Sequence, residues 1–338
     1  MIVFAVIAFV LGQSAAPLVT VFCPNKAKLE AKIKGPSPIK CDDDPQTSGL
    51  LAAQSNFPDA DILFAANAAK VLQKLSDENR VSSPRAMQRL GFDKVGELIG
   101  GLTASDAKTA TLTALALYAP PRSGFVEAFG PAMDSVIPDF VPADADVVRV
   151  SARPSGVFSQ ANNAFAAADP VNQALFYTHL KGLEQEMGKR FADDALGTVP
   201  KAWTMYTKGT SAIAVLEVAD VALVVKFLER YAVVVSAFAP NATVTRPTVG
   251  GQKGFAVIMP GTGTFAVGFT KSAIVLAQDE KSLAAHFAGK KGRAQTIGGS
   301  AIACGITSDT LTKGARVTWT MALEDKGLRF DGQAKARK

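Results

Sequence analysis

The side chains best suited to move protons near neutrality are histidines, and the chain has only two, His179 and His286. An imidazole titrates close to physiological pH and can serve as general acid or base. A hydrolase built on either would need a nucleophile and an orienting carboxylate beside it. Neither histidine has these as sequence neighbours: His179 lies in Tyr177-Thr178-His179-Leu180 and His286 in Ala285-His286-Phe287, both within helical patterns. No Gly-x-Ser-x-Gly elbow is present, so a Ser/His/Asp arrangement would have to be assembled from distant positions. Helix histidines beside apolar neighbours are the plainer reading. No catalytic residue is assigned, and His179 and His286 stand as the candidates.

Other chemistries find less support. The chain has three cysteines. Cys23 and Cys41 bracket a loop containing Lys and Pro, and they could close a disulfide in an oxidising compartment. Cys304, inside Ser300-Ala301-Ile302-Ala303-Cys304-Gly305, reads as a small core residue. With no Cys-x-x-Cys and no Cys/His cluster, no metal site is expected. The triplet Asp42-Asp43-Asp44 lacks the glycine turn and spaced ligands of a calcium loop. Glu184/Glu186 and Asp193-Asp194 could in principle serve glycoside chemistry, but as isolated pairs they read as surface carboxylates. The glycine-rich stretches at 249–254 and 261–263 have neither a Gly-Lys-Ser/Thr ending nor a Gly-x-Gly-x-x-Gly between strand and helix. They read as hairpin turns, and no cofactor is expected. Asn241-Ala242-Thr243 is a glycosylation sequon that matters only in a host with the machinery.

Composition bounds the remaining readings. Hydrophobic residues make up 48% and charged residues 20% of the 338, so the chain is globular and long enough for a substantial core. The formal net charge is +6. Lys26, Lys28, Lys32, Lys34 and Lys40 crowd one segment, Lys290, Lys291 and Arg293 another, and Lys335, Arg337 and Lys338 close the chain. None of these clusters is interleaved with aromatics as a single-strand binding surface would require, so nucleic acid is not an expected partner.

The first 22 residues carry no charge. Ile2 to Leu11 is an unbroken apolar run followed by Gly12-Gln13-Ser14-Ala15-Ala16, the pattern of a secretory signal with a small-residue cleavage site. No Lys or Arg precedes the run, and Pro17 follows the cleavage point. Continuation through Pro17-Leu18-Val19-Thr20-Val21-Phe22 would instead give an anchor of membrane-spanning length. A lipidated Cys23 fits poorly because bulky Phe22 precedes it. Export is therefore expected, with residues 1–22 a signal peptide or a membrane anchor.

A short phrase occurs twice: Pro58-Asp59-Ala60-Asp61-Ile62-Leu63-Phe64-Ala65-Ala66 and Pro142-Ala143-Asp144-Ala145-Asp146-Val147-Val148-Arg149-Val150-Ser151. Each is an acidic turn followed by an apolar run of strand length. After the first copy, the spacing predicts helices near 67–75 and 84–100, a strand over 109–119 and a helix over 124–136. After the second, it predicts a strand over 147–152, helices over 154–167 and 170–191, a strand over 211–218 and a helix over 221–238. Beyond Pro240, short runs separated by Gly, Pro and Thr predict hairpin strands, with one helix over 279–288. The expected fold is α+β, with two similar strand–helix–helix–strand–helix starts. An antiparallel sheet in the C-terminal half carries its helices on one face. The expected divisions are a linker over 23–56, a first module over 57–141 and a second, larger one over 142–338.

Residues 209–288 resemble a group of exported bacterial proteins that carry a domain of unknown function. The likeness rests on the strand leading into Asp220, on Gly250-Gly251-Gln252-Lys253-Gly254-Phe255, and on Phe265-Ala266-Val267-Gly268-Phe269-Thr270-Lys271-Ser272-Ala273-Ile274-Val275-Leu276-Ala277 running into Asp279-Glu280-Lys281-Ser282-Leu283. The resemblance implies an exported envelope protein with an α+β repeat fold, and it brings no catalytic motif. The functional expectation is a non-catalytic envelope protein, periplasmic, extracellular or membrane-anchored, that binds a partner or apolar ligand or acts as a scaffold. The alternatives are a hydrolase with a dispersed constellation and a subunit that self-associates through strand edges.

Overall fold

In the strand Ile62–Asn67, all of Ile62, Leu63, Phe64, Ala65 and Ala66 are buried. Successive strand side chains point to opposite faces, so a run buried at every position must be covered on both sides. This demand explains most of the architecture. A computed structural model of the chain describes residues 19–34, 47–67, 70, 84–89, 91–118, 124–238, 243–246, 248–249, 252–259, 263–289, 292–307 and 315–336. Its elements run β1 (Val19–Phe22), α1 (Lys26–Ile33), α2 (Ser48–Asn56), β2 (Ile62–Asn67), α3 (Pro84–Arg89), β3 (Val95–Ala104), β4 (Thr109–Tyr118) and β5 (Met133–Ile137). They continue as β6 (Asp146–Ala152), α4 (Pro154–Ala168), α5 (Pro170–Met187), β7 (Lys201–Lys208), β8 (Ser211–Glu217), α6 (Val221–Phe238), β9 (Thr243–Thr245), β10 (Thr248–Val249) and β11 (Gln252–Met259). The last are β12 (Gly263–Phe269), β13 (Ala273–Ala277), α7 (Glu280–Ala288), β14 (Gln295–Ala301), β15 (Ala303–Thr307), β16 (Ala315–Glu324) and β17 (Gly327–Ala336). The fold is α+β, and antiparallel sheet predominates.

By internal contacts the chain forms two units. The first joins residues up to Ser123 with Ala132–Ser135 and Ile297–Lys338, and the second holds Gly124–Pro131 and Val136–Thr296. Where the sequence suggests one boundary at 141/142, the chain crosses between units more than once, and its last strands lie with its first.

The first unit's sheet has the order β1-β2-β3-β4-β17-β16-β15. Every pairing along it is antiparallel. One face packs Ile62, Phe64, Leu102 and Leu112 with Leu29 of α1. The other packs Leu63, Ala65, Ile99 and Leu115 with Leu50 and Ala53 of α2. Helices therefore cover both faces, not one. The segment expected as a linker supplies both of them, since Leu29 and Leu50 are fully buried. Residues 35–46 lie outside the described set. Antiparallel pairing is also not confined to the C-terminal half, since β1 to β4 already form a meander.

The helix expected over 84–100 ends at Arg89, and residues 95–104 are strand β3. Gly100-Gly101, which reads as a helix terminator, serves instead for close strand packing. A Cβ on Gly100 would run into the Phe64 ring, and one on Gly101 would meet Ala60 at 2.7 Å and Phe57 at 2.8 Å. The helix expected over 124–136 is a short 3-10 turn, Gly124–Ala128, followed by β5. Pro131 cannot donate in a helix interior, which separates the two. The helix read at 67–75 falls mostly outside the described residues, though Asn67 Oδ1 does accept the Lys70 N–H at 3.0 Å.

The second unit's sheet has the order β6-β7-β8-β13-β12-β11, with β9 and β10 both pairing β11. Val267 and Phe269 of β12 pack with Phe255, with Leu180 and Leu183 of α5, and with Val224 and Phe227 of α6. Between them, Gly268 points the other way, where a Cβ would meet Phe287 at 2.7 Å and Leu283 at 3.1 Å on α7. Both faces are covered here too. After the second phrase the observed order is β6-α4-α5-β7-β8-α6, with β7 a strand beyond the expected order.

The acidic residues of the repeated phrase differ in their settings. Asp61 is 3% exposed, takes Lys32 Nζ at 2.7 Å and 2.8 Å, and accepts the Ala104 N–H at 2.9 Å. It ties α1 and β3 to the start of β2. In the second copy Asp144, which corresponds to Asp59, pairs with Lys208 at 3.0 Å with both side chains largely exposed, an arrangement that contributes little to stability. Removing one partner of a buried pair leaves an uncompensated charge. Lys32→Ala is therefore expected to lower stability by about 3 kcal/mol, and Lys208→Ala by less than about 1 kcal/mol. Urea midpoints of the two variants check this, and equal shifts would refute the contrast.

Candidate functional site

His286 stands in the last turn of α7, a helix started by Asp279, whose carboxylate accepts the Ser282 N–H at 2.6 Å. That bond holds the Asp279 carboxyl below the usual carboxylate range. The imidazole Nδ1 is hydrogen-bonded to the Tyr206 hydroxyl of β7 at 2.8 Å. Phe140 and Phe287 meet the ring edge to face at centroid distances of 5.8 Å and 5.3 Å. Burial lowers the His286 pKa from its ordinary value of 6.5, although a helix C-terminus favours a cation. Burial also pushes the Tyr206 hydroxyl up to about 12. At neutral pH the pair is thus an uncharged phenol against an uncharged imidazole. Moving the phenol proton onto the imidazole would create two buried charges, so this hydrogen bond is a neutral structural contact. Its aromatic walls favour the neutral form of both partners.

Tyr206 was the residue that sequence reasoning missed. The signal was present: in Lys201-Ala202-Trp203-Thr204-Met205-Tyr206, the alternation puts Thr204 and Tyr206 inward and leaves Met205 exposed. On the same side of the unit, Ser282 Oγ and Ser211 Oγ hydrogen-bond to each other at 3.1 Å.

His179 lies in the middle of α5, partly buried, one residue before buried Leu180. It is on a different element from His286, and no hydrogen bond or ring contact joins the two. The carboxylate pairs are engaged locally. Glu184 takes Lys181 at 3.0 Å and accepts the Phe191 N–H at 3.0 Å, and Glu186 pairs with Arg230 at 3.4 Å. Asp194 accepts the Arg190 N–H at 2.7 Å and Asp193 takes the Arg190 guanidinium at 2.8 Å. Together they hold the first turn of a π-helix over Phe191–Leu196, whose wide bonds include Ala195 N–H to Arg190 C=O at 3.3 Å. Glu184, Asp193 and Asp194 thus serve helix ends, and Glu186 reaches α6.

Cys23 is buried and disulfide-bonded, while Cys41 lies outside the described residues. Cys304 is a buried thiol. The Asp42-Asp43-Asp44 triplet also falls outside the described set, as do Asn241, Ala242, Gly250, Gly251, Gly261 and Thr262. Among the described residues, no group of three or more His, Cys, Asp or Glu could hold a metal ion.

The first unit also has an open cleft of about 510 Å³ at the β16–β17 turn, lined by Phe57, Leu115, Glu324, Asp325, Lys326 and Arg329. In it Arg329 is engaged by Asp331 at 2.9 Å and Glu324 at 3.6 Å, and Lys326 donates to Asn56 at 3.4 Å. A site of this kind suits a polar ligand better than an apolar one. No protein-family model, curated protein or solved structure matches the chain.

The Tyr206–His286 pair makes a definite pH prediction. Folding depresses the imidazole pKa, so on acidification the unfolded chain takes up a proton that the folded chain refuses. Stability should fall as pH drops through 6.5 and level off once the folded imidazole is itself protonated. His286→Gln should lose less stability than the parent between neutral pH and pH about 5. Urea midpoints at the two pH values measure this, and equal losses would exclude His286 as the source.

Proposed function

We propose that the chain is an exported envelope protein that works by binding a partner or scaffolding, without catalysis. The observation that carries export is Cys23, which is disulfide-bonded just beyond the apolar N-terminal run. Disulfides persist in oxidising compartments and are rare in the cytosol. The strand β1 bears on the two forms of export. Val19–Phe22 pairs residue for residue with β2, from Val19 opposite Ala66 to Phe22 opposite Leu63. These are residues that a membrane-spanning anchor would need. A signal peptide cut after Ala16 leaves β1 intact, so the reading favours cleavage. Among the described residues, no helix is long and apolar enough to cross a membrane.

The non-catalytic part of the reading is favoured by how the candidate residues are used. His286 is engaged by a phenol and enclosed by aromatic rings, and the carboxylates of α5 and the π-helix cap helix ends. The likeness to exported bacterial proteins at 209–288 agrees with this reading.

Expression of the full chain in a bacterial host, followed by fractionation, tests the proposal. The protein is expected outside the cytoplasm with a mature N-terminus at Pro17. Alkylation under denaturing conditions without reductant should label Cys304 and leave Cys23 unlabelled. A cytoplasmic protein with an intact N-terminus and a labelled Cys23 would refute export.

A further inference from the structure

The open cleft of the first unit, about 510 Å³, is built on a polar stretch of sheet. On the face that carries α2, Arg329 of β17 stands opposite Leu115 of β4, and Asp331 stands opposite Thr113. The two rows lie side by side, because residues two apart on a strand point the same way. Asp331 takes the Arg329 guanidinium through two parallel bonds, from Nε at 2.9 Å and from Nη2 at 3.2 Å, and Thr113 Oγ1 donates to the same carboxylate at 3.0 Å. A fork held in this way has a fixed orientation. Its remaining nitrogen, Nη1, is 3.6 Å from Glu324, longer than a hydrogen bond, so it keeps protons to give. Lys326 Nζ donates to Asn56 Oδ1 at 3.4 Å, which leaves the ammonium further protons. Glu324 and Asp325 bring acceptors to the same exposed rim, and half-buried Phe57 lines one side.

We propose that this cleft binds a neutral saccharide, with hydroxyls on Arg329 Nη1, Lys326 Nζ and the Glu324 and Asp325 carboxylates, and ring C–H groups against Phe57. The balance of charge selects this ligand. Lys326 and Arg329 line the cleft together with Glu324 and Asp325, and Asp331 behind Arg329 brings the carboxylates to three against two cations. An anion would approach all three carboxylates, and to gain the Arg329 fork it would have to displace Asp331 from two bonds. A cation would meet Lys326 and Arg329. An apolar ligand would strip water from charged side chains and put nothing in its place. A hydroxyl donates and accepts at once, so a vicinal diol takes a proton from Lys326 or Arg329 and gives one to Glu324 or Asp325 with no change of charge. Hydrogen bonds to charged partners are the stronger kind. The volume lies within the range of ~300–1,000 Å³ typical of ligand sites. Because the cleft is open, much of the ligand stays in water, and the affinity expected is millimolar. The proposal rests on the reading of this chain as a binding protein and names its ligand class; it does not depend on where the chain resides.

Saturation-transfer NMR of the full chain with maltotriose, cellotriose and tri-N-acetylchitotriose as probes tests it. At least one of the three should receive saturation and titrate with a millimolar Kd. Lys326→Ala and Asp325→Ala, both at the exposed β16–β17 turn, should each weaken that binding by about tenfold, the worth of one hydrogen bond to a charged group, and leave thermal unfolding unchanged. Phe57→Leu, which keeps an apolar side chain in place, should weaken it through loss of the ring. Absence of saturation on all three probes would overturn the proposal. Saccharide binding unchanged in both turn variants would also overturn it, since the sugar would then sit elsewhere. Inorganic phosphate or spermidine that displaces the sugar would overturn it in favour of a charged ligand. Whichever result is obtained, fractionation decides export on its own, so the two readings stand or fall separately.

Discussion

Burial of strands on both faces is the constraint on which the rest of this structure depends. A strand whose every residue leaves water needs cover above and below, and it cannot be an amphipathic outer wall. In β2 the alternating sets Ile62/Phe64 and Leu63/Ala65 go to separate clusters, each closed by its own helix. In β12 the alternation is Val267/Phe269 against Gly268, with α5 and α6 on one side and α7 on the other. The abundance of Ala and Gly follows. Sheet positions facing a close helix or an aromatic ring have no room for more, as Gly100 shows beneath Phe64 and Gly268 beneath Phe287. Dense packing of small residues recovers the burial that larger ones would supply.

The same constraint explains how one sequence phrase came to serve two purposes. A carboxylate at the mouth of a doubly covered strand either finds a cation and backbone donors or stays in water. Asp61 found Lys32 and the Ala104 N–H because α1 lies directly over the start of β2. Asp144, at an earlier position of the phrase and equivalent to Asp59, meets Lys208 at the surface. The acidic residues of the phrase therefore mark strand starts and do not form a common binding motif.

Electrostatics are arranged with similar economy around the titratable groups. The second unit places the Tyr206–His286 pair where burial keeps both partners neutral. Its carboxylates on α5 and the π-helix satisfy backbone donors that the helix ends would otherwise leave bare. The result is a unit whose charges stabilise local structure.

Much of the element content was legible in the sequence. The strands from 146 to 152 and 211 to 217 follow from hydrophobic patterning, as do the helices from 154 to 187 and 221 to 238 and the hairpins after 252. The misreadings share a cause. Val95–Ala104 has helix-compatible spacing and a Gly-Gly stop, and only the presence of Phe64 and Thr113 across the sheet makes those glycines strand residues. Lys26–Ile33 and Ser48–Asn56 sit among lysines and prolines and read as linker, yet Leu29 and Leu50 find buried places because the sheet needs cover there. Of the candidate site, His286 and Cys23 were visible as residue types. Tyr206 was not, because a hydroxyl lying 80 positions away becomes a partner only when β7 is set beside α7. By itself the sequence determined where apolar periodicity and turn chemistry allow strands and helices, since those are local properties. Which face each helix covers, which glycine is a packing contact and which aspartate is buried were decided by the tertiary structure, because each depends on atoms brought together from far along the chain.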